Sequence, residues 1–366
     1  MIPSLSIFCT TPARPLLGAL LVLSCLATPV TAQRAVNPTT TVPALQPIEV
    51  SAVQIASFSK LGGSDRRHGR LTFRGGLVLT SPNAEFGGLS GIEIAPDGRR
   101  VVLISDEQGW FSAEITYDKG RPTGLTRVRH GDLLALNGRP LTRKRDADAE
   151  SAALIEGSME RGTLLLAFER NQRIGRFPVR DGVIGAPLGY LKGPADARRM
   201  STNKGFEAIA VMQGGPHKGA PLAFAEKYLD PQGHHTGWLW LGSEPRRLAL
   251  TDIGDFEITD AKGLPDGSLL VLERRFRWLE GVKMRLRHVK PAEIQPGAVM
   301  TGDVLLSADM AYEIDNMEGL AVHRGPGGET VLTLVSDNNY NSLLQRTILL
   351  QFTLEPDGVA AATPAR

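Results

Sequence analysis

The chain has 366 residues, with 41 Lys and Arg against 39 Asp and Glu and a formal charge of +2. A balance so near neutral excludes a global field favouring nucleic acid or an anionic membrane, so partners must be sought in local patches. Forty Gly, 24 Pro, short apolar runs and almost no long amphipathic helical period argue against a helical bundle and for many short strands joined by tight turns.

At the N-terminus, Arg14 precedes the apolar run Leu16 to Ala27 and then Val30-Thr31-Ala32. This pattern predicts a signal peptide over residues 1–32, cleaved before Gln33, and therefore a periplasmic or secreted protein. The run is too short, and too closely followed by Pro29, for a permanent membrane span. Lipoprotein anchoring at Cys25 is the weaker reading, because Val22-Leu23-Ser24 fits a lipobox poorly. Both cysteines, Cys9 and Cys25, fall in the segment to be removed, which leaves no thiolate metal site and no disulfide framework. A flexible leader is expected over 33–45, one large domain over 46–356 and a disordered tail over 357–366.

Within the large domain one pattern recurs five times: a polar residue, an apolar strand, a turn, a second apolar strand and an acid. The copies begin at Ser90, Glu150, Glu207, Asp260 and Glu318, spaced 60, 57, 53 and 58 residues apart, and their second strands end at Asp106, Glu169, Glu226, Glu273 and Asp337. Such a period fits a four-stranded blade, so the fold class is all-β, a β-propeller of five or six blades. Reversal signals such as Pro96-Asp97-Gly98 and Pro265-Asp266-Gly267 lie between the paired positions and make each pair of strands an antiparallel hairpin. The start of the first strand then lies beside the end of the second, which places nine of the ten positions, all but Ser90, as acids on one rim. Thr347 to Leu354 is expected to supply a third strand to the last blade and Leu71 to Leu79 to close it, while Ile48 to Phe58 leaves a sixth blade open.

The same residues resemble a known family, the bacterial phytase-like proteins, often called the esterase-like activity of phytase family. The resemblance runs from about Phe86 to Leu354 and rests on Gly87-Gly88-Leu89-Ser90-Gly91, Ser105-Asp106-Glu107, Asn203 to Ala208, Leu272 to Phe276, Asp315 to Leu320 and Ser336 to Asn339. It implies phosphoric-ester hydrolysis on a propeller.

Read chemically, crowded carboxylates raise one another's pKa unless cations lie among them. Two arrangements meet that need. In one, a hard divalent ion, Ca²⁺ or else Mg²⁺, is held by Asp106, Glu169, Glu226, Asp260, Glu273 and Asp337. In the other, each acid pairs with a basic neighbour in sequence: Glu169 with Arg170, Glu226 with Lys227, Glu273 with Arg274 or Arg275, Glu207 with Lys204. For hydrolysis, Glu150, Glu207 and Glu318 are the candidate catalytic carboxylates, with His235 of the His234-His235 pair as a proton donor. Arg170, Lys204, Lys227, Arg274, Arg275, Asn338 and Asn339 are the candidate contacts to a small anionic phosphoester. Gly88-Leu89-Ser90-Gly91 lacks the spacing of a nucleophile elbow, and Trp238 and Trp240 read as blade packing. A monomer is expected. A noncatalytic envelope binding protein, and a lactonase-like or quinone-dependent propeller enzyme, stay open as alternatives.

Overall fold

The computed structural model describes residues 45–63, 66–107, 109–201 and 203–356. The expected signal peptide, the tail and all but the last residue of the leader lie outside the described residues.

Five sheets form five blades. Their innermost strands are Leu89–Ile94, Ala149–Gly157, Phe206–Val211, Glu257–Gly263 and Asn316–Arg324, which number blades 1 to 5 and pack against one another in a closed ring around the channel. Each innermost strand pairs antiparallel with the next strand in sequence, through turns of the expected kind. In two of them an Asp side chain fixes the reversal: Asp97 Oδ1 accepts Arg99 N–H at 2.9 Å, and Asp266 Oδ1 accepts Ser268 N–H at 2.9 Å. Gly98 and Gly267 hold φ of 71° and 88° there, a region costly for residues with a Cβ.

Continuous apolar runs such as Leu164 to Phe168 follow from the stacking of blades. Side chains alternate between the two sheet faces, so Leu164, Leu166 and Phe168 pack toward blade 1, while Leu165 and Ala167 pack toward blade 3. Trp238 and Trp240 are buried in that second layer, with the Phe206 and Trp238 rings edge to face at 5.5 Å. Blade 5 takes its third strand from Thr347–Leu354 and its fourth from Leu71–Thr80, paired from Thr347↔Leu79 to Leu354↔Leu71. The two ends of the propeller are thereby locked in one sheet. The stretch Ile48 to Phe58 that left a sixth blade open instead edges blade 5 through Ser51–Ile55, and Gln46–Pro47 just before it edges blade 1.

Candidate functional site

A β-bulge recurs at the same place in every blade. Pairing slips by one residue between Leu89 and Gly91, Ala149 and Ser151, Phe206 and Ala208, Ile258 and Asp260, and Met317 and Gly319. The unpaired residues are therefore Ser90, Glu150, Glu207, Thr259 and Glu318, and bulges re-aim their side chains. Beside them stand the ends of the second strands, matched by backbone pairing: Asp106 with Gly88, Glu169 with Asp148, Glu226 with Gly205, Arg274 with Glu257 and Asp337 with Asn316.

This register corrects blade 4. Asp260 and Glu273, expected on the rim as metal ligands, sit one residue off it, and a one-residue shift in a strand turns a side chain to the other face. Asp260 is fully buried inside the channel, where Oδ1 accepts Ser151 Oγ–H at 2.6 Å and Ala261 N–H at 2.8 Å, and Oδ2 accepts Leu320 N–H at 2.8 Å. Glu273 is buried in an ion pair with Arg287 at 2.7 Å. Thr259 and Arg274 take their places. The hydroxyls at the bulges of blades 1 and 4 tie adjacent blades together: Ser90 Oγ donates to Ala149 O at 2.8 Å and Thr259 Oγ1 to Met317 O at 3.2 Å. Ser90 is thus a structural donor, not a nucleophile.

The remaining acids press on one another. Burial first, then Asp106, Asp148, Glu318 and Glu169, push the Glu150 carboxyl well above its usual range. Glu207 is raised in the same way, by burial and then by Glu150, Glu226, Glu169 and Glu318. Burial and Asp148 bring Glu169 to about 8, burial and Asp337 bring Glu318 to about 8, and burial and Asp106 bring Asp337 to about 7.

Cations meet this cluster, Arg274 among them from a ring position, and none of the expected neighbour pairs is made. Adjacent residues on a strand point to opposite faces, so each base reaches a different acid. Arg170 binds Asp148 at 2.8 Å; Lys204 binds Glu226 at 2.8 Å and Glu257 at 3.1 Å; Lys227 binds Asp255 and Glu257. Arg274 reaches Glu226 at 3.2 Å and Glu318 at 3.6 Å. Lys144, from a short helix over Lys144–Ala147, binds Asp106 at 2.6 Å and Asp148 at 3.2 Å. Glu150, Glu169 and Glu207 have no ion pair among the described residues.

Of the other expected contacts, Arg275 turns away from the ring to Glu280 and the Phe256 ring. His235 starts the strand His235–Leu241, is buried, and has Asp252 and Arg287 as its charged neighbours, which removes it as a proton donor at the mouth. Asn338 accepts Gly88 N–H and Tyr340 N–H through Oδ1, and Asn339 donates to Gln345, so both shape the blade 5 loop. Asp148 and Glu257 were not expected. Asp148 and Glu257 share the strand position of Gly88, Gly205 and Asn316, where residue type varies from blade to blade and leaves no repeat signal.

The donor chemistry suits a hard cation. Carboxylate oxygens of Asp148, Glu150 and Glu169 all lie within 4.8 Å of one another, and so do those of Glu169, Glu207 and Glu226. Two ligands on opposite sides of one calcium are separated by roughly 5 Å, and three of these carboxylates have no cation of their own. A separate cavity of about 210 Å³ opens at the other end of the channel, among Ile94, Leu154, Lys262 and His323. Its walls are mostly apolar and it holds none of the ring residues.

A family model described as "Phytase-like: Esterase-like activity of phytase" matches residues 84–340, and the chain belongs to this family. No curated protein matches it. Among solved structures it is similar to the N-terminal domain of Nup159, at 9% identity and a TM-score of 0.35, over 81% of this chain and 98% of that one. It is also similar to a protein of unknown function from Bacteroides caccae, at 14% identity and a TM-score of 0.31, over 65% of this chain and 68% of that one.

Proposed function

We propose that this member of the phytase-like family is an exported hydrolase of small phosphoric esters, dependent on a divalent cation and working at the ring of bulged carboxylates. The family description points to hydrolase-type chemistry. The observation that carries the finer reading is the convergence of Glu150, Glu169 and Glu207, unpaired among the described residues, inside a rim of Lys144, Arg170, Lys204 and Arg274. Asp148, Glu150, Glu169, Glu207 and Glu226 would hold calcium, or magnesium in its place. Such an ion would polarise a phosphoryl oxygen and acidify a water bound to it.

The chain's own groups supply the rest. Lys204 and Arg274 stand partly exposed at the mouth and hold the ester's phosphoryl oxygens, the guanidinium by two donors and the ammonium as a point charge. Glu207 takes the proton of the water whose oxygen attacks phosphorus. The ester P–O bond breaks, and Glu318, which keeps a proton up to about pH 8, protonates the leaving oxygen. Asn316 Nδ2 donates to Glu318 Oε1 at 2.8 Å and fixes its orientation.

Export rests on the leader pattern at Leu16 to Ala32. No helix among the described residues is long and apolar enough to cross a membrane.

The deciding experiment is hydrolysis of a panel of phosphomonoesters and phosphodiesters with calcium, with magnesium and with chelator. Cation-dependent turnover is the expected result. Folded, cation-loaded protein inactive across the panel overturns the reading, and ligand binding without turnover indicates a noncatalytic binding protein.

A further inference from the structure

The second and third strands of blade 4, Leu269–Arg277 and Gly281–Val289, stay paired past the ring position of Arg274 for three more residues, to Arg277↔Gly281. At about 3.3 Å per residue, the hairpin tip stands roughly 10 Å beyond the carboxylate ring, on the same end of the propeller. Its tip carries Trp278 and Leu279, 87% and 95% exposed.

Apolar residues continue beside the tip of this hairpin. Met310, itself exposed, lies against Gly281, and Ala311 O accepts Lys60 N–H beside the exposed Leu61. On blade 5 the loop after Asp337 presents Leu343 and Leu344, both strongly exposed, at the same end. Isolated exposed leucines need no explanation, but a Trp-Leu tip on a projecting hairpin with an apolar margin does.

The charges around the tip indicate what covers it. Arg275, Arg277 and Lys283 all converge on one carboxylate, Glu280, at 2.6, 3.2 and 2.6 Å. Asp255 is shared by Arg277 at 3.7 Å and Lys227 at 3.3 Å. Four cations thus face three acids, counting Glu257, which Lys227 also reaches at 3.4 Å, a local excess of one positive charge. Tryptophan and leucine framed by arginine and lysine is the composition that settles at a bilayer's headgroup boundary, the rings and aliphatic groups below the phosphates and the cations among them.

We infer that the blade 4 hairpin docks this protein on an anionic phospholipid surface, with Trp278 and Leu279 inserted. The inference is independent of the hydrolytic reading, because its test measures binding and not turnover. Trp110, Trp238 and Trp240 are buried, so Trp278 is the one exposed tryptophan of the four and reports its own environment. The full chain is mixed with vesicles of equal phosphatidylcholine and phosphatidylglycerol, and separately with phosphatidylcholine alone. Co-sedimentation and a blue shift of Trp278 emission are expected with the anionic vesicles and should weaken as salt is added. The double variant Trp278→Ser with Leu279→Ser should melt as the parent does and lose binding more than tenfold; Lys283→Glu should lose binding to anionic vesicles while keeping the fold. No binding to anionic vesicles, or equal binding by the double variant, overturns the inference. So does a parent that ignores vesicles but self-associates through Trp278 in sedimentation velocity, which would make a second copy the occupant.

Discussion

Arg274 Nε and Glu318 Oε1 face each other at 3.6 Å across the boundary of blades 4 and 5, and the arginine does so from the strand position at which the other four blades place an acid. It is the cation built into the ring itself. Its removal separates two roles that a carboxylate variant leaves mixed. Arg274→Ala leaves Glu226, Glu257 and Glu318 less compensated, and the expected cost is about 2–3 kcal/mol, below that of a fully buried pair because the side chain is 20% exposed. The same variant should bind calcium more tightly, since a repelling charge is gone, yet bind an anionic ester more weakly. Thermal melts, calcium calorimetry and KM for a phosphomonoester measure the three effects. Unchanged calcium affinity would show that Arg274 does not share a site with the cation.

The raised carboxyl groups fix the sign of a pH effect. Glu169 and Glu318 at about 8, and Asp337 at about 7, all exceed their unfolded values, so the folded chain holds protons that the unfolded chain has released. Their contribution to stability is complete below about pH 4, where both states are protonated, and is lost as pH rises through 7 and 8. In chelator, Tm should therefore fall between pH 5 and 8. Saturating calcium should flatten that slope, and calcium binding near pH 7 should release protons, read from the dependence of its heat on buffer ionisation enthalpy. A slope indifferent to calcium would place the cation elsewhere.

The propeller was legible because its signals are local and repeated: alternating faces along Leu164 to Phe168, Asp-Gly reversals at Asp97 and Asp266, and the paired ends at Thr347 and Leu79. The rim positions were legible to within one residue. Matching acid to acid put Asp260 and Glu273 on the rim, whereas the bulge follows an apolar residue in every blade: Leu89, Ala149, Phe206, Ile258 and Met317. Aligning on that residue selects Thr259 and, opposite it, Arg274. Ion-pair partners were out of reach for another reason. They join residues distant in sequence, as Lys144 joins Asp106 and Lys204 joins Glu257, and no local pattern encodes which blade a long side chain will reach.

Glu207 separates catalysis from folding. Its carboxyl is half-buried among like charges, and burial and those neighbours favour the protonated form. Gln is nearly isosteric with that form and cannot ionise, so Glu207→Gln should leave the cation-free protein at least as stable at pH 8 as the parent. Calcium-induced stabilisation should shrink, and phosphoester turnover should fall by about a hundredfold or more if Glu207 is the base. Melts with and without calcium, beside initial rates, give both readings. A variant that keeps parental turnover removes Glu207 from the chemistry.

Asp260 predicts the opposite pattern. Its two oxygens take hydrogen bonds from Ser151 of blade 2, Ala261 of its own strand and Leu320 of blade 5, and Lys262 Nζ lies 3.3 Å away while also donating to Ala152 O. One carboxylate thus joins three blades across the channel. Burial raises its pKa to about 6, against the pull of Lys262, so it is ionised above neutral pH and needs all of its donors. Asp260→Ala leaves the Leu320 N–H and the Ser151 hydroxyl without their acceptor and Lys262 without its counter-ion, at an expected cost of about 3–5 kcal/mol. Asp260→Asn should cost less, because one oxygen remains to accept. Neither change touches the ring, so calcium affinity, measured where the variant is still folded, should stay within about twofold of the parent. A large loss of calcium affinity in folded Asp260→Asn protein would return Asp260 to the cation site, and a negligible change in Tm would show that the channel does not depend on this staple.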